Sequence, residues 1–85
     1  MDLRSDDSGE IYVELLGRTV LLVPHTFQRM IERGITVEEL VGLLESKHSK
    51  ALFQRNGRIR ITNGQITAVI QLWLGTAYVV TVFRK

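Results

Sequence analysis

Two Asn-Gly pairs constrain the fold of this chain more than any other feature. Asn56-Gly57 and Asn63-Gly64 each lie between runs rich in β-branched and apolar residues. Asn and Gly adopt the positive φ angles that a two-residue type I′ hairpin turn requires. Gly75-Thr76 marks a third turn. The sequence therefore predicts a four-stranded antiparallel meander, with strands at about 51–55, 58–62, 65–74 and 77–84.

Two-residue turns would also fix the register of the meander, and so decide which side chains share a face. In that register Ile59 lies opposite Ala68, and Ala68 lies opposite Phe83, on an apolar face that Thr81 interrupts. The other face would gather arginines beside aromatic side chains. These residues are Arg55, Arg58, Arg60, Arg84, Phe53, Trp73 and Tyr78.

The first half of the chain predicts a hairpin and two short helices in front of the meander. Residues 1–9 are polar and are predicted to form a mobile tail, so that residues 10–85 form a single α+β domain. Runs at 11–16 and 19–23 predict an N-terminal β-hairpin that turns at Gly17-Arg18.

The helices are predicted from their start and stop signals. Pro24 can open the first helix and Gly34 can end it. Thr36 and Glu39 have the spacing of a capping box, which predicts the start of the second helix. The apolar residues expected to face the sheet are Phe27, Met30 and Ile31 in the first helix, and Val37, Leu40, Val41 and Leu44 in the second.

Charge is distributed unevenly along the chain, although the net charge is only +2. All acidic residues lie between Asp2 and Glu45, whereas the segment from Lys50 to Lys85 carries basic residues and no acid. A basic segment without counter-charges favours an anionic partner, most often nucleic acid. A solvated sheet face that happens to use arginine is the alternative.

Composition excludes several classes of protein and site. The chain has no cysteine, which excludes disulfides, thiolate metal sites and a thiol nucleophile, and fits a reducing cytoplasm. The sequence contains no long apolar stretch of the kind found in signal peptides and membrane spans, so a cytoplasmic location is expected. The meander has no acid to hold Mg²⁺, and His25 and His48 are too far apart in sequence to predict a zinc site. No metal or other cofactor is expected.

Two groups of residues could carry chemistry. His25, Arg29 and Arg33 follow one another at i, i+4 and i+8, so they share one side of the first helix and could bind phosphate or move a proton. The alternative is a purely structural role, in which the two arginines form ion pairs with Glu32 or Glu14. On spacing alone this structural role is favoured.

The second group is the arginine cluster of the meander. Guanidinium groups grip phosphate oxygens in a fork, and neighbouring aromatic rings can stack on bases. Cation–π packing on a solvated face, or an interface with another protein, would use the same residues. Thr81 would either bond the backbone or lie within reach of His25, and Tyr78 could donate a proton or stack.

The segments "HTFQRMIERGITVEELVGLL", "RNGRIRI" and "YVVTVFRK" resemble the domain-of-unknown-function 4258 family. That family is similar to the BrnT and RelE-like ribonuclease toxins, which share a RelE/barnase-like small fold of helices on an antiparallel sheet. The resemblance covers about residues 25–84. It implies a small RNA-binding protein of toxin-like, metal-independent endoribonuclease activity, held by an antitoxin-like partner.

The resemblance also implies roles for individual residues. His25 matches the helix histidine and would transfer the proton, and Thr81 matches the polar position of the last strand; Tyr78 is a further catalytic candidate from its place on the predicted sheet and not from the resemblance. In cleavage of this kind a ribose 2′-hydroxyl attacks the adjacent phosphate, which requires a base, an acid and positive charge on the phosphate. The residues that would bind RNA are Arg29, Arg33, Arg58, Arg60 and Arg84, and the predicted register of the meander adds Arg55.

Two other hypotheses remain open from the sequence. The first is a non-catalytic interaction module, such as an adaptor or inhibitor, with a protein partner on the face of Trp73, Tyr78 and Phe53. The second is a homodimer joined through the hairpin at residues 11–23, which is compatible with either function.

Overall fold

The computed structural model describes residues 9–84, which form an α+β fold of two helices and six strands. Residues 1–8 of the predicted tail lie outside the described residues. The bounds are β1 Glu10–Val13, β2 Arg18–Leu22, α1 Pro24–Glu32, α2 Val37–Glu45, β3 Lys50–Phe53, β4 Arg58–Thr62, β5 Ile66–Trp73 and β6 Thr76–Arg84, with a 3-10 turn at Arg55–Gly57 between β3 and β4.

The strands form one mixed sheet in the order β1-β2-β6-β5-β4-β3. The α+β class, the two helices and the antiparallel run from β3 to β6 are confirmed. The prediction of a four-stranded sheet beside a separate hairpin is wrong, because β2 pairs in parallel with β6 through Leu21 with Tyr78 and Leu22 with Val79. The hairpin thereby supplies partners to backbone groups along β6 that would otherwise lie at an edge.

The turn between β5 and β6 lies one residue earlier than predicted. Trp73 pairs with Thr76, so Leu74 and Gly75 are the two central residues, with φ angles of 51° and 81°. Positive φ at both positions is what a type I′ turn requires. Leucine is an unusual residue for the first of these positions, which is why the sequence pointed to Gly75-Thr76 instead.

A β-bulge then changes the face of the last residues of β6. Val69 pairs with Thr81 and Ile70 with Val79, which leaves Val80 as an extra residue on β6. One extra residue reverses the alternation of every side chain beyond it. Val82, not Phe83, therefore lies opposite Ala68 and is fully buried in the core, and Phe83 lies on the opposite face of the sheet from the one predicted.

The two Asn-Gly turns are longer than two residues. The connection from β3 to β4 includes the 3-10 turn, and Phe53 pairs with Ile59. This one-residue shift places Leu52, not Phe53, opposite Arg60. In the next turn Asn63 Oδ1 accepts hydrogen bonds from the backbone N–H groups of residues 65 and 66, which lengthens the loop by two residues and leaves the faces unchanged.

The helices cover one face of the sheet and bury Met30, Leu40, Leu43 and Leu44 against it. The capping box of α2 is confirmed: Thr36 Oγ1 accepts from Glu39 N, and Glu39 Oε1 accepts from Thr36 N, both at 3.0 Å. Within residues 9–84 neither helix has the length and apolar character needed to cross a membrane.

The predicted apolar stripe of α1 is only partly right. Met30 is buried, but Phe27 and Ile31 are exposed, and Thr26 is buried instead. The residues of α1 that face the sheet are Thr26 and Met30, which lie one helical turn apart, and α1 packs against β6. Thr26 Oγ1 donates a 2.8 Å hydrogen bond to Val79 O, at the point where β2 ends.

Candidate nucleic-acid interface

The outer face, which is the sheet face turned away from α1 and α2, carries the basic side chains of β4. Ile59 and Ile61 of β4 are buried under the helices, so the alternation of the strand directs Arg58 and Arg60 to the outer face. Opposite Arg60 lie Leu52 on β3 and Val69 on β5. The placement of Arg58 and Arg60 agrees with the sequence.

A groove with a volume of about 780 Å³ lies mainly on this outer face, between β3 and β6. Its basic residues are His48, Lys50 and Arg60, and no carboxylate is among its lining residues in the described chain. The other lining residues are Ala51, Leu52, Thr62, Asn63, Gly64, Thr67 and Phe83.

Arg60 and Phe83 form the best-defined contact in the groove. The Arg60 guanidinium carbon lies 5.6 Å from the centroid of the Phe83 ring, within cation–π distance. Arg60 remains exposed and Phe83 is half-buried. This contact holds a charged, flat group against an aromatic ring without neutralising its charge, so the guanidinium can still bind a phosphate or stack on a base.

Arg58 lies two residues before Arg60 on the same face of β4, and it is hydrogen-bonded to the side-chain amide of Gln71. Its Nε donates a 2.9 Å hydrogen bond to Gln71 Oε1, while Gln71 Nε2 donates to Asn56 O at 2.7 Å. Tyr78 is opposite Gln71 on β6 and is half-buried. These bonds orient Arg58 toward β5, and no carboxylate takes part in them.

Thr81 is reached by Arg33, the residue that ends α1. Arg33 Nη1 donates to Thr81 Oγ1 at 3.2 Å and to Val82 O at 2.8 Å. Thr81 pairs with Val69, in the same row of the sheet as Arg60. The structure thus brings two of the predicted site residues, Arg33 and Thr81, into direct contact.

Arg84 is not part of the outer face. It pairs with Ile66, which places it on the helix side of the sheet, and its guanidinium binds both Glu39 carboxylate oxygens at 3.0 Å and Gly34 O at 2.7 Å. This ion pair lowers the pKa of Glu39 to about 2, chiefly through the hydrogen bond from Arg84, and raises the pKa of Arg84. The bulge at Val80 is the cause, because it reverses the face of the residues that follow.

His25, Arg29 and Arg55 are exposed and lie apart from the groove lining. His25 and Arg29 lie on α1, and Arg55 begins the 3-10 turn. No hydrogen bond within residues 9–84 joins His25 to Thr81 or Tyr78, so these three predicted catalytic residues are not connected. Among the described residues, no group of three or more His, Cys, Asp or Glu side chains is placed to hold a metal ion.

Sequence reasoning did not assign His48, Lys50 or Leu52 to the site. The segment between α2 and β3 is fixed by short hydrogen bonds: Ser49 Oγ donates to Leu43 O at 2.7 Å, and Ser46 Oγ accepts from His48 N at 3.0 Å. Lys50 lies opposite Thr62. The length of the β3–β4 connection decides which face Lys50 and Leu52 occupy, and the predicted two-residue turn would have placed them on the other face.

Three comparisons with known proteins found no match, since no family model, curated protein or solved structure matches this chain. The resemblance to ribonuclease toxins therefore stays a prediction.

Proposed function

We propose that this protein binds single-stranded RNA in the groove of the outer face. The observation that carries the proposal is the stack of Arg60 on Phe83 inside a groove that also contains Lys50 and His48 and no lining carboxylate. Positive groups in a groove attract a phosphate backbone, and flat groups within it offer surfaces on which bases can stack. The resemblance to RNA-cleaving toxins favours RNA over DNA.

A single strand fits this arrangement better than a duplex. Bases must be unpaired before they can stack on an aromatic ring or on a guanidinium plane. Lys50 and Phe83 lie at the two ends of one row across β3 to β6, and Arg60 lies in the next row, so phosphate-binding and stacking groups line the same groove. In this proposal Lys50 and Arg60 bind phosphates, and the Arg60–Phe83 pair supports a base.

The test is fluorescence anisotropy with a labelled single-stranded RNA oligonucleotide at several salt concentrations. Arg60→Ala should weaken binding, and the slope of log K against log salt should fall by about 0.7 for the lost phosphate contact. Arg29→Ala is the matched control, since it removes the same charge from an exposed position on α1. Weaker binding by the control but not by Arg60→Ala would move the site to α1. A wild-type protein without RNA affinity at low salt would favour the non-catalytic interaction module instead.

A second candidate function is cleavage of the bound RNA, and it is favoured by the histidine in the groove. His48 lines the same groove as Arg60 and Lys50, whereas His25 lies on α1 outside it. In the proposed reaction His48 accepts the proton of a ribose 2′-hydroxyl. The 2′-oxygen then bonds to phosphorus as the bond to the 5′-oxygen breaks, and the leaving oxygen takes a proton from solvent. Arg60 and Lys50 would stabilise the charge on the phosphate.

Cleavage would be measured with a labelled RNA in the presence of a chelator. His48→Ala should abolish cleavage and leave affinity within a few fold, while His25→Ala should retain both. Loss of cleavage in His25→Ala alone would restore the site expected from the resemblance. Absence of cleavage by the wild-type protein would leave binding as the function.

A further inference from the structure

The free edge of the sheet at β3 carries unusual side chains for an edge strand. Within residues 9–84, β3 pairs with β4 and forms the end of the sheet. Leu52 is 60% exposed and Phe53 is 68% exposed, and they lie on opposite faces of the strand. Edge strands are commonly protected against pairing by charges, prolines or bulges. In β3 the single charged residue is Lys50, at its first position.

The opposite edge of the sheet is different. In β1 the apolar residues Ile11 and Val13 are buried under the helices, and the residues that alternate with them are Glu10 and Tyr12. That strand therefore has its aliphatic side chains covered, and its other face carries a charge beside Tyr12, which is 45% exposed. Apolar side chains exposed on both faces distinguish β3 from β1.

The hydrogen-bond pattern shows which backbone groups of β3 point away from the sheet. Gln54 N donates to Arg58 O at 2.8 Å, so Gln54 bonds toward β4. Because bonding alternates along an antiparallel pair, Leu52 and Lys50 bond toward β4 as well. The N–H and C=O groups of Ala51 and Phe53 must then point outward, where they are available to another strand.

We propose that β3 pairs antiparallel with β3 of a second copy of this chain, across a two-fold axis at Leu52. In this register Leu52 lies opposite Leu52 of the second copy on the outer face. Phe53 lies opposite Ala51 of the second copy on the helix side. The outward backbone groups of Ala51 and Phe53 bond to each other across the interface. Both exposed apolar side chains of β3 become covered in one step.

The strand is complementary to itself, which favours a second copy over a foreign strand. A two-fold axis perpendicular to the sheet keeps the outer faces of both copies on the same side. Leu52 is therefore covered by Leu52 of the second copy and not by a polar side chain. Lys50 lies opposite Gln54 of the second copy. The two Lys50 side chains are then separated by about 13 Å along the strands, beyond the Debye length of ~8 Å at physiological ionic strength.

The pairing has a consequence for the groove, which rests on the proposed function. Lys50 and Leu52 line the groove at its β3 side. Two grooves would meet across the two-fold axis on one continuous outer face of twelve strands. The dimer would therefore bind a longer single strand than one protomer covers.

The test uses sedimentation velocity of the full chain without nucleic acid. The wild-type protein should sediment as a dimer. Leu52→Lys and Leu52→Glu should each be monomeric, because like charges directly opposite one another destabilise a strand pair. An equimolar mixture of the two variants should sediment as a dimer again, since Lys then lies opposite Glu. Ile31→Lys, which makes the same change at an exposed residue of α1, should stay dimeric.

Several results would overturn the proposal. A wild-type protein that is monomeric throughout its soluble range would remove the dimer. Dimeric Leu52→Lys, or a mixture that stays monomeric, would remove this interface or this register. Circular dichroism of each variant checks that its fold is intact. Leu52→Ala is a second, uncharged variant, which should shift the equilibrium toward monomer. The measurement contains no RNA, so it fails or succeeds independently of the RNA-binding proposal.

Discussion

Arg60 and Arg84 illustrate how little a charge count says about a single residue. Both lie in the acid-free second half of the chain, and the sequence grouped them on one face. Arg60 lies on the outer face against an aromatic ring, whereas Arg84 binds a carboxylate of α2 on the helix side. An arginine that already binds a carboxylate offers less to an anionic ligand. The one extra residue at Val80 separates these two outcomes.

The Arg84–Glu39 pair predicts a dependence of stability on pH. The pKa of Glu39 is lowered from 4.5 to about 2, so its contribution is fully present above pH 4.5 and is lost as the pH falls toward 2. Glu39→Gln should therefore reduce the loss of stability over that interval, measured by urea unfolding at each pH. Glu38→Gln removes a carboxylate from the same turn but leaves the contact with Arg84, and should behave as wild type. Equal curves for wild type and Glu39→Gln would contradict the assignment.

The buried hydroxyl of Thr26 predicts a second effect at the residue scale. Its Oγ1 donates to Val79 O in a site that is almost fully buried. Thr26→Val keeps the shape and leaves that carbonyl without its partner, which should cost about 1–3 kcal/mol of unfolding free energy. Thr26→Ser keeps the hydroxyl and should cost less. Chemical denaturation measures both, and a Thr26→Val protein as stable as wild type would show that the bond contributes nothing.

At the scale of the elements, local signals were enough to predict the two helices and the strands of the meander. Pro24, Gly34 and the capping box at Thr36 and Glu39 act within a few residues of themselves, and so they can be recognised in the sequence. Pairing depends on interactions between distant segments. The parallel contact of β2 with β6 and the bulge at Val80 have no local signal.

The same distinction explains the candidate site. Alternation along β4 was enough to place Arg58 and Arg60 on the outer face, because it is a property of one strand. Predicting the groove would have required the correct pairing of β3. The turn between β3 and β4 is one residue longer than predicted, so Leu52 instead of Phe53 lies opposite Arg60. Lys50 entered the site through that pairing, and His48 lies in the turn just before β3. A single turn length thus decided that Lys50 and Leu52 face the groove.

The β5–β6 turn predicts a stabilising substitution. Leu74 has a φ angle of 51°, which is unfavourable for leucine, and it is 87% exposed. Burial of its side chain therefore does not offset the cost of the left-handed conformation. Leu74→Asn should raise the unfolding free energy by about 0.5–1 kcal/mol, since Asn tolerates this conformation. Leu74→Ala keeps the unfavourable conformation and should change stability little. Thermal unfolding compares the two, and a destabilised Leu74→Asn would contradict the turn type.

At the scale of the whole molecule, the described acidic residues all lie outside the strands β3 to β6. They belong to β1, the turn after it, and the two helices. Since α1 and α2 cover one face of the sheet, Arg58 and Arg60 lie on an outer face to which β3 to β6 contribute no carboxylate, and Glu10 lies on that face at the other end of the sheet, on β1. Glu39 is the acid that crosses this division, and it meets Arg84 on the helix side.

The location of RNA on the protein tests the central claim most directly. Titration of the ¹⁵N-labelled protein with single-stranded RNA, followed by amide chemical shifts, reports binding residue by residue. The account predicts the largest changes at Lys50, Arg60, Thr67 and Phe83, with little change at His25 and Arg29 on α1. Changes confined to α1, or no changes at low salt, would contradict the assignment of the groove as the RNA-binding site.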